Sequence, residues 1–141
     1  MKILVAVDGS AYTQKALDYL VAHRTMFVDG HELVIVHVCA AVSGQVTRHL
    51  NKQLMHDYYA EETAKVIEPV QAYLAKHNIA NYVIDARHGH AAEEILASAQ
   101  VVQAALIVLG THGHGFFGRA LVGSIATKVI AGTDISVLLV Q

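Results

Sequence analysis

The residue types best able to do chemistry concentrate in one segment, Gly110-Thr-His-Gly113-His-Gly115-Phe-Phe-Gly118-Arg-Ala-Leu-Val-Gly123-Ser124, with five glycines in the fourteen positions from Gly110 to Gly123. Glycines at this density let backbone N–H groups approach an anion without interference from Cβ atoms, so phosphate binding is the chemistry to test. Gly113-His-Gly115-Phe-Phe-Gly118 matches GxGxxG. That fingerprint, however, opens the first strand-to-helix turn of a dinucleotide fold, and too little chain follows here to build the second half. Gly118 to Gly123 has the spacing of a Walker loop, but Ser124 stands at the lysine position and no Gly-Lys pair occurs in the chain, which excludes a P-loop NTPase. A third reading keeps every part. Gly110 and Gly113 turn the backbone sharply after a strand, and Gly123-Ser124 starts a helix whose free N–H groups, hydroxyl and positive dipole end face an anion.

Three other groups invite a chemical reading. Asp8, in Asp8-Gly9-Ser10, ends an apolar run and offers a carboxylate to a ligand at a strand's carboxyl end, with Ser10 as the cap of the next helix. The triplets His88-Gly-His90 and His112-Gly-His114 suggest a metal, yet structural zinc sites usually include cysteine. Cys39 reads as a small buried apolar residue, with no acid–base partner in view. No general base for an attacking water stands out, nor an acidic pair for Mg²⁺ beyond Asp8. No catalytic residue and no metal ligand is assigned.

The elements that must position these residues are legible as alternating strands and helices. Ile3–Val7, Leu33–Val38, Asn81–Ala86, Ala105–Leu109 and Val137–Val140 are apolar or β-branched runs. The third alternates more and reads as a sheet edge. Ala16, Leu17, Leu20 and Val21 recur at helical spacing, as do Ile95, Leu96, Ala99 and Val102; a short helix carries Ile125, Val129 and Ile130 before Gly132. Between Ala40 and about Arg48 no period is evident. Beyond it, Leu50, Leu54, Tyr58, Val66, Ile67, Val70 and Leu74 make a helical face, and Tyr58-Tyr59 read as part of the core. Pro69 inside this stretch predicts a kink or two successive helices. His37 reads as a satisfied core histidine. The alternation predicts right-handed crossovers: an α/β fold, doubly wound, with a five-stranded parallel sheet and helices on both faces.

Composition narrows the function classes. Ten Lys plus Arg against twelve Asp plus Glu give a formal charge of -2, without the basic excess of a nucleic-acid binder. With 54% apolar and 16% charged residues, a substantial core is expected and disorder is not. The lone cysteine fits a reducing compartment. The opening apolar run is too short for a signal peptide, and no stretch approaches a membrane span. The expectation is a soluble cytoplasmic domain over residues 1–141.

Several segments in order resemble the universal stress protein family. Gly110-x2-Gly113-x9-Gly123-Ser124 is similar to its ATP-binding motif; Ile3-Leu4-Val5-Ala6-Val7-Asp8-Gly9-Ser10 resembles its first strand and turn, and Val36-His37-Val38 its second-strand end. Gly89 before Ala92-Glu93-Glu94-Ile95 resembles the third-strand exit, and Ser136-Val137-Leu138-Leu139-Val140 the last strand. The likeness spans essentially the whole chain and points to the ATP-binding subgroup. It implies sheet order 3-2-1-4-5, in the manner of the adenine nucleotide alpha hydrolases, and a homodimer through the last strand, Ser136 to Val140. It also implies a site for ATP, ADP or AMP, with or without Mg²⁺. Asp8 would lie at the nucleoside and Val38 at adenine, with Ala6 also in the nucleotide site. Leu109, Gly110, His112 and Gly113 would contribute backbone contacts, and Gly123, Ser124 and Ile125 would hold phosphates. In the implied order the two His-Gly-His triplets sit three strand spacings apart, about 14 Å, which argues against a shared metal. The loop carries His114, Phe116 and Phe117 with Arg119 as its one cation, and Ile135-Ser136 replaces the family's Cys-Pro pair. The implied function is a nucleotide-binding stress sensor or regulator that acts without the membrane or nucleic acid. The alternatives are a slow hydrolase or autophosphorylating enzyme, modified at Ser124 or Thr127, and a dimeric scaffold that binds no nucleotide.

Overall fold

Side chains that alternate between two buried faces along the central strands decide the architecture. The computed structural model describes residues 1–42, 44, 51–112 and 122–141. Along the chain run β1 (Lys2–Ala6), α1 (Ala11–Ala22), α2 (Arg24–Phe27), β2 (Glu32–Ala40), α3 (Lys52–Lys76), β3 (Tyr82–Gly89), α4 (Ala91–Val102), β4 (Leu106–Gly110), α5 (Ser124–Ala131) and β5 (Ser136–Val140). The sheet order is β3-β2-β1-β4-β5 with every pairing parallel. Fold class and strand order agree with the sequence reading, including β3 as an edge.

Alternate residues of β1 feed two separate cores. Ile3 and Val5 pack with Leu33, Ile35 and the inward residues of α1 and α3 (Ala16, Leu17, Leu20, Ile67, Val70, Leu74). Leu4 points the other way, joining Val34, Val36, Ile107, Leu109 and the inward residues of α4 and α5 (Ala92, Ile95, Ala99, Ala126, Val129). A strand buried on both faces must be apolar without interruption, which is why the central runs do not alternate. Each fully buried leucine contributes about 1.5–3 kcal/mol. His37, buried in β2, places Nδ1 2.9 Å from the Val7 carbonyl. A carbonyl only accepts, so Nδ1 carries the proton, and the histidine is a satisfied core residue as expected.

α3 rules out the two successive helices expected at Pro69 and corrects the core reading of Tyr58-Tyr59. It is one continuous helix, capped by the Asn51 side chain accepting from Leu54 N–H, with Pro69 inside it. Proline removes the donor for the Lys65 carbonyl, at about 3 kcal/mol. Burial of Ile67, Val70 and Leu74 on either side of it outweighs that penalty. Tyr58-Tyr59 are not core. Twenty-five residues make a helix about 37 Å long, longer than the nine-residue β2, which spans about 30 Å, and burial on α3 begins only at Ile67. Leu54 and Tyr58 are exposed. Tyr59 stacks on His88 of β3, centroids 4.4 Å apart, and its hydroxyl accepts from Val42 N–H. The segment from Ala40 to about Arg48 reads in sequence as a loop; Ala40 instead ends β2, and residues 43 and 45–50, Leu50 among them, lie outside the described residues. The short helix α2 has no forerunner in the sequence reading.

Candidate functional site

β1 and β4 are neighbours, but their outgoing connections diverge. α1 packs on the face of Ile3 and Val5, and α5 on the face of Leu4. Divergence of this kind opens a crevice at the carboxyl ends of the two strands, the switch point where open α/β sheets take ligands. Asp8 lies there, as do the described ends of the following segment, Gly110 to His112 and Gly123-Ser124.

After β1, the turn is held by side chains. Ser10 occupies the N-cap position of α1 as the sequence suggests, but its side chain does not cap, and its Oγ has no hydrogen-bond partner among the described residues. Thr13 does the work instead. Its hydroxyl accepts from the N–H groups of Asp8 (2.9 Å) and Gly9 (3.2 Å) and donates to Asp8 Oδ1 (2.9 Å). The same Oδ1 accepts from Ser10 N–H at 2.9 Å. Thr13 is buried on α1, so the carboxylate is tied to a helix that is itself fixed on the sheet.

The junction after β4 is held by backbone. Thr111, buried at the strand exit, donates its N–H to Val140 O and accepts Gly123 N–H at 2.6 Å. Approach this close needs glycine. A Cβ on Gly123 would sit 2.9 Å from the Thr111 carbonyl oxygen, and one on Gly110 would sit 2.5 Å from Tyr12 Cβ. Gly123 is thereby the N-cap of α5, with no side-chain cap among the described residues and no acidic residue in the first turn. Among the described residues no side chain takes the opening N–H groups of α5, the kind of helix end that attracts an anion. Ser124 and Ile125 are exposed at that start, and the Thr127 hydroxyl turns back to donate to the Gly123 carbonyl at 2.9 Å.

The remaining candidates fall around these junctions. Ala6 and Val38 are half-buried against the core on the α4–α5 side, and Leu109 is buried in it, leaving main-chain atoms as its means of contact. His112 follows Thr111, its Nδ1 3.0 Å from Thr111 Oγ1 and its ring 5.0 Å from that of Tyr12. Lys15 Nζ lies 4.9 Å from the centre of the Tyr12 ring. Gly113 lies outside the described residues, as do His114, Phe116, Phe117 and Arg119. The structure brings Asp8 and the Gly110–Gly123 junction to adjacent strand ends; the sequence reading missed Thr13, Tyr12 and Thr111. A threonine five residues after the aspartate, on the first turn of a helix, was the one available signal.

Other reactive groups are engaged elsewhere. Burial pushes the Cys39 thiol above its ordinary range, with the Glu62 carboxylate adding to the effect, so it is a poor nucleophile at neutral pH. Arg87 bonds Asp85 and Glu94, and Asp85 accepts from buried Ser98, which fastens β3 to α4. Glu93 and Glu94 sit in the first turn of α4, where the dipole favours carboxylates. Among the described residues no three His, Cys, Asp or Glu side chains group to hold a metal ion. Nor is any described helix long and apolar enough to cross a membrane.

Comparison with known proteins gives a consistent result. A family model described as the universal stress protein family matches residues 1–141. The chain is 29% identical to the universal stress protein YxiE of Bacillus subtilis, over 99% of this chain and 98% of that one. Among solved structures, hypothetical protein MJ0577 superposes with a TM-score of 0.82 at 24% identity, covering 99% of this chain and 94% of that one. The universal stress protein UspA of Lactobacillus plantarum gives 0.77 at 21% identity, covering 100% and 97%. Three further structural neighbours, with TM-scores of 0.67 to 0.68, were solved with cAMP, dAMP or AMP bound.

Proposed function

The chain belongs to the universal stress protein family, and from that membership we propose that it binds an adenine nucleotide in the crevice between the β1 and β4 exits and acts as a nucleotide-responsive regulator. The observation that carries the reading is the Gly123–Thr111 contact, which sets the start of α5, without a side-chain cap among the described residues, at the β4 exit, one strand from Asp8. Phosphates at Gly123, Ser124 and Ile125 would meet helix N–H groups, and main-chain atoms of Leu109, Gly110, His112 and Gly113 would line the strand exit. Asp8 would accept from ribose hydroxyls, with adenine against Ala6 and Val38. That relatives of this fold hold AMP, dAMP and cAMP supports the ligand class; ATP, with or without Mg²⁺, is the finer proposal.

The same reading makes residues 1–141 one domain working in the cytoplasm as a homodimer. Support for the dimer comes from β5, an edge strand whose Val137, Leu138 and Leu139 are only half-buried. Calorimetric titration of the nucleotide-freed protein with ATP, ADP and AMP, with and without Mg²⁺, tests the core of the proposal. The expected result is micromolar binding, about -8 kcal/mol. A folded, nucleotide-free protein that binds none of them overturns it and leaves the β5 edge as the working surface.

A further inference from the structure

The turn after β1 is bonded more heavily than a helix start requires. An N-cap side chain ordinarily satisfies one or two open N–H groups of its own helix. Here the hydroxyl of Thr13, a third-position helical residue, reaches backward past the N-cap to two residues outside the helix. Its oxygen accepts from Asp8 N–H and Gly9 N–H, which directs its single proton onto Asp8 Oδ1. Ser10 N–H adds a second donor to the same Oδ1. Threonine is stiff at χ1 and this one is 7% exposed, so the hydroxyl has little freedom to let go.

Resting on the nucleotide reading above, we infer that Thr13 is a positioning residue: it locks the Asp8 carboxylate in one orientation toward the crevice, and the lock makes the site select a ligand bearing ribose hydroxyls over one that lacks them. A carboxylate already immobilised loses no rotamer freedom when it accepts from a ligand hydroxyl, so the selective contact gains from preorganisation. Thr13 never touches the ligand in this scheme; it acts through Asp8.

The test is a titration of AMP and 2′,3′-dideoxy-AMP against wild type, Thr13→Val, Thr13→Ser, Asp8→Asn and the double variant Asp8→Asn/Thr13→Val, with a thermal melt of each. In wild type AMP binds more tightly than its dideoxy counterpart. Thr13→Val is expected to weaken AMP roughly tenfold while leaving dideoxy-AMP nearly unchanged, as loss of a supporting hydrogen bond does at other preorganised sites. Thr13→Ser, which keeps the hydroxyl, retains most of the preference, and the double variant loses no more than Asp8→Asn alone. A Thr13→Val protein that weakens both ligands equally, or that keeps the preference, overturns the inference. Should Thr13→Val fail to fold, Thr13→Ala replaces it with the same expected ratio. Wild type that binds AMP without preference overturns the lock while sparing the nucleotide site; wild type that binds neither ligand overturns both.

Discussion

The two junctions that face the crevice solve one problem by opposite means. After β1 the chain is fixed by side chains, a threonine hydroxyl and an aspartate carboxylate bonded to three backbone N–H groups. After β4 it is fixed by the removal of side chains, with Gly110 against Tyr12 and Gly123 against the Thr111 carbonyl. The first arrangement aims a charged group, and the second clears room so that main-chain donors can aim themselves. On the proposed reading, together they would offer a ligand one acceptor-rich wall and one donor-rich wall. That asymmetry suits a molecule with hydroxyls at one end and an anion at the other.

If close approach is the whole basis of the second junction, adding one methyl group should break it. Gly110→Ala puts a Cβ 2.5 Å from Tyr12 Cβ, where α1 crosses β4. Overpacking there is expected to cost about 1–3 kcal/mol, read as a fall in the urea midpoint without change in slope. In Gly123→Ala the added Cβ would meet backbone alone, the Thr111 carbonyl oxygen at 2.9 Å and His112 Cα at 3.3 Å. About 1 kcal/mol of stability is expected to go, and the same titration should show a larger proportional loss for nucleotides than for adenosine.

A third variant sharpens the contrast by loosening α1 away from both junctions. The Tyr73 hydroxyl donates to Asp18 at 2.6 Å, joining α3 to α1. Tyr73→Phe is expected to cost about 0.5–1.5 kcal/mol at pH 7 and to leave the AMP preference intact. Burial first, and then the bond to Asp18, raise the Tyr73 phenol well above its usual range. The folded state thus holds this proton more tightly than the unfolded chain. The stabilisation is complete below pH ~10 and is lost as pH rises beyond it. Wild type and Tyr73→Phe melting curves should therefore converge above pH ~10, and a gap that widens there would contradict the assignment.

Much of this was legible because the relevant signals are repetitive or negative. Ile3–Val7 and Ala105–Leu109 are apolar without interruption because both faces are covered, and the glycines at 110 and 123 announce themselves by lacking side chains. What escaped notice depends on partners distant in space. Thr13 sits one turn before Ala16, Leu17 and Leu20 on the same helical face, so periodicity files it with the core. Its reach back to Asp8 becomes visible only once the turn is folded. The core reading of Tyr58-Tyr59 failed for a geometric reason, since an apolar stripe cannot reveal that α3 meets the sheet there only at its β3 edge, with Tyr59 on His88 and Tyr58 exposed. Pro69 does not split the helix, and the reason is energetic, because the burial of Ile67, Val70 and Leu74 opposes its local breaking strength.

The central position of β1 also sets an order of events during synthesis. Ile3 pairs with Leu33 on one side and with Leu106 on the other. The first partner leaves the ribosome soon after it, whereas the second follows only when most of the chain has been made. Through that interval β1, β2 and β3 can associate, but one flank of Ile3-Leu4-Val5 presents unpaired amides and apolar side chains, a template for pairing with other chains. Parallel pairing across so long a separation is slow to form. The growing chain is therefore most prone to aggregate just before the segment that completes the crevice arrives.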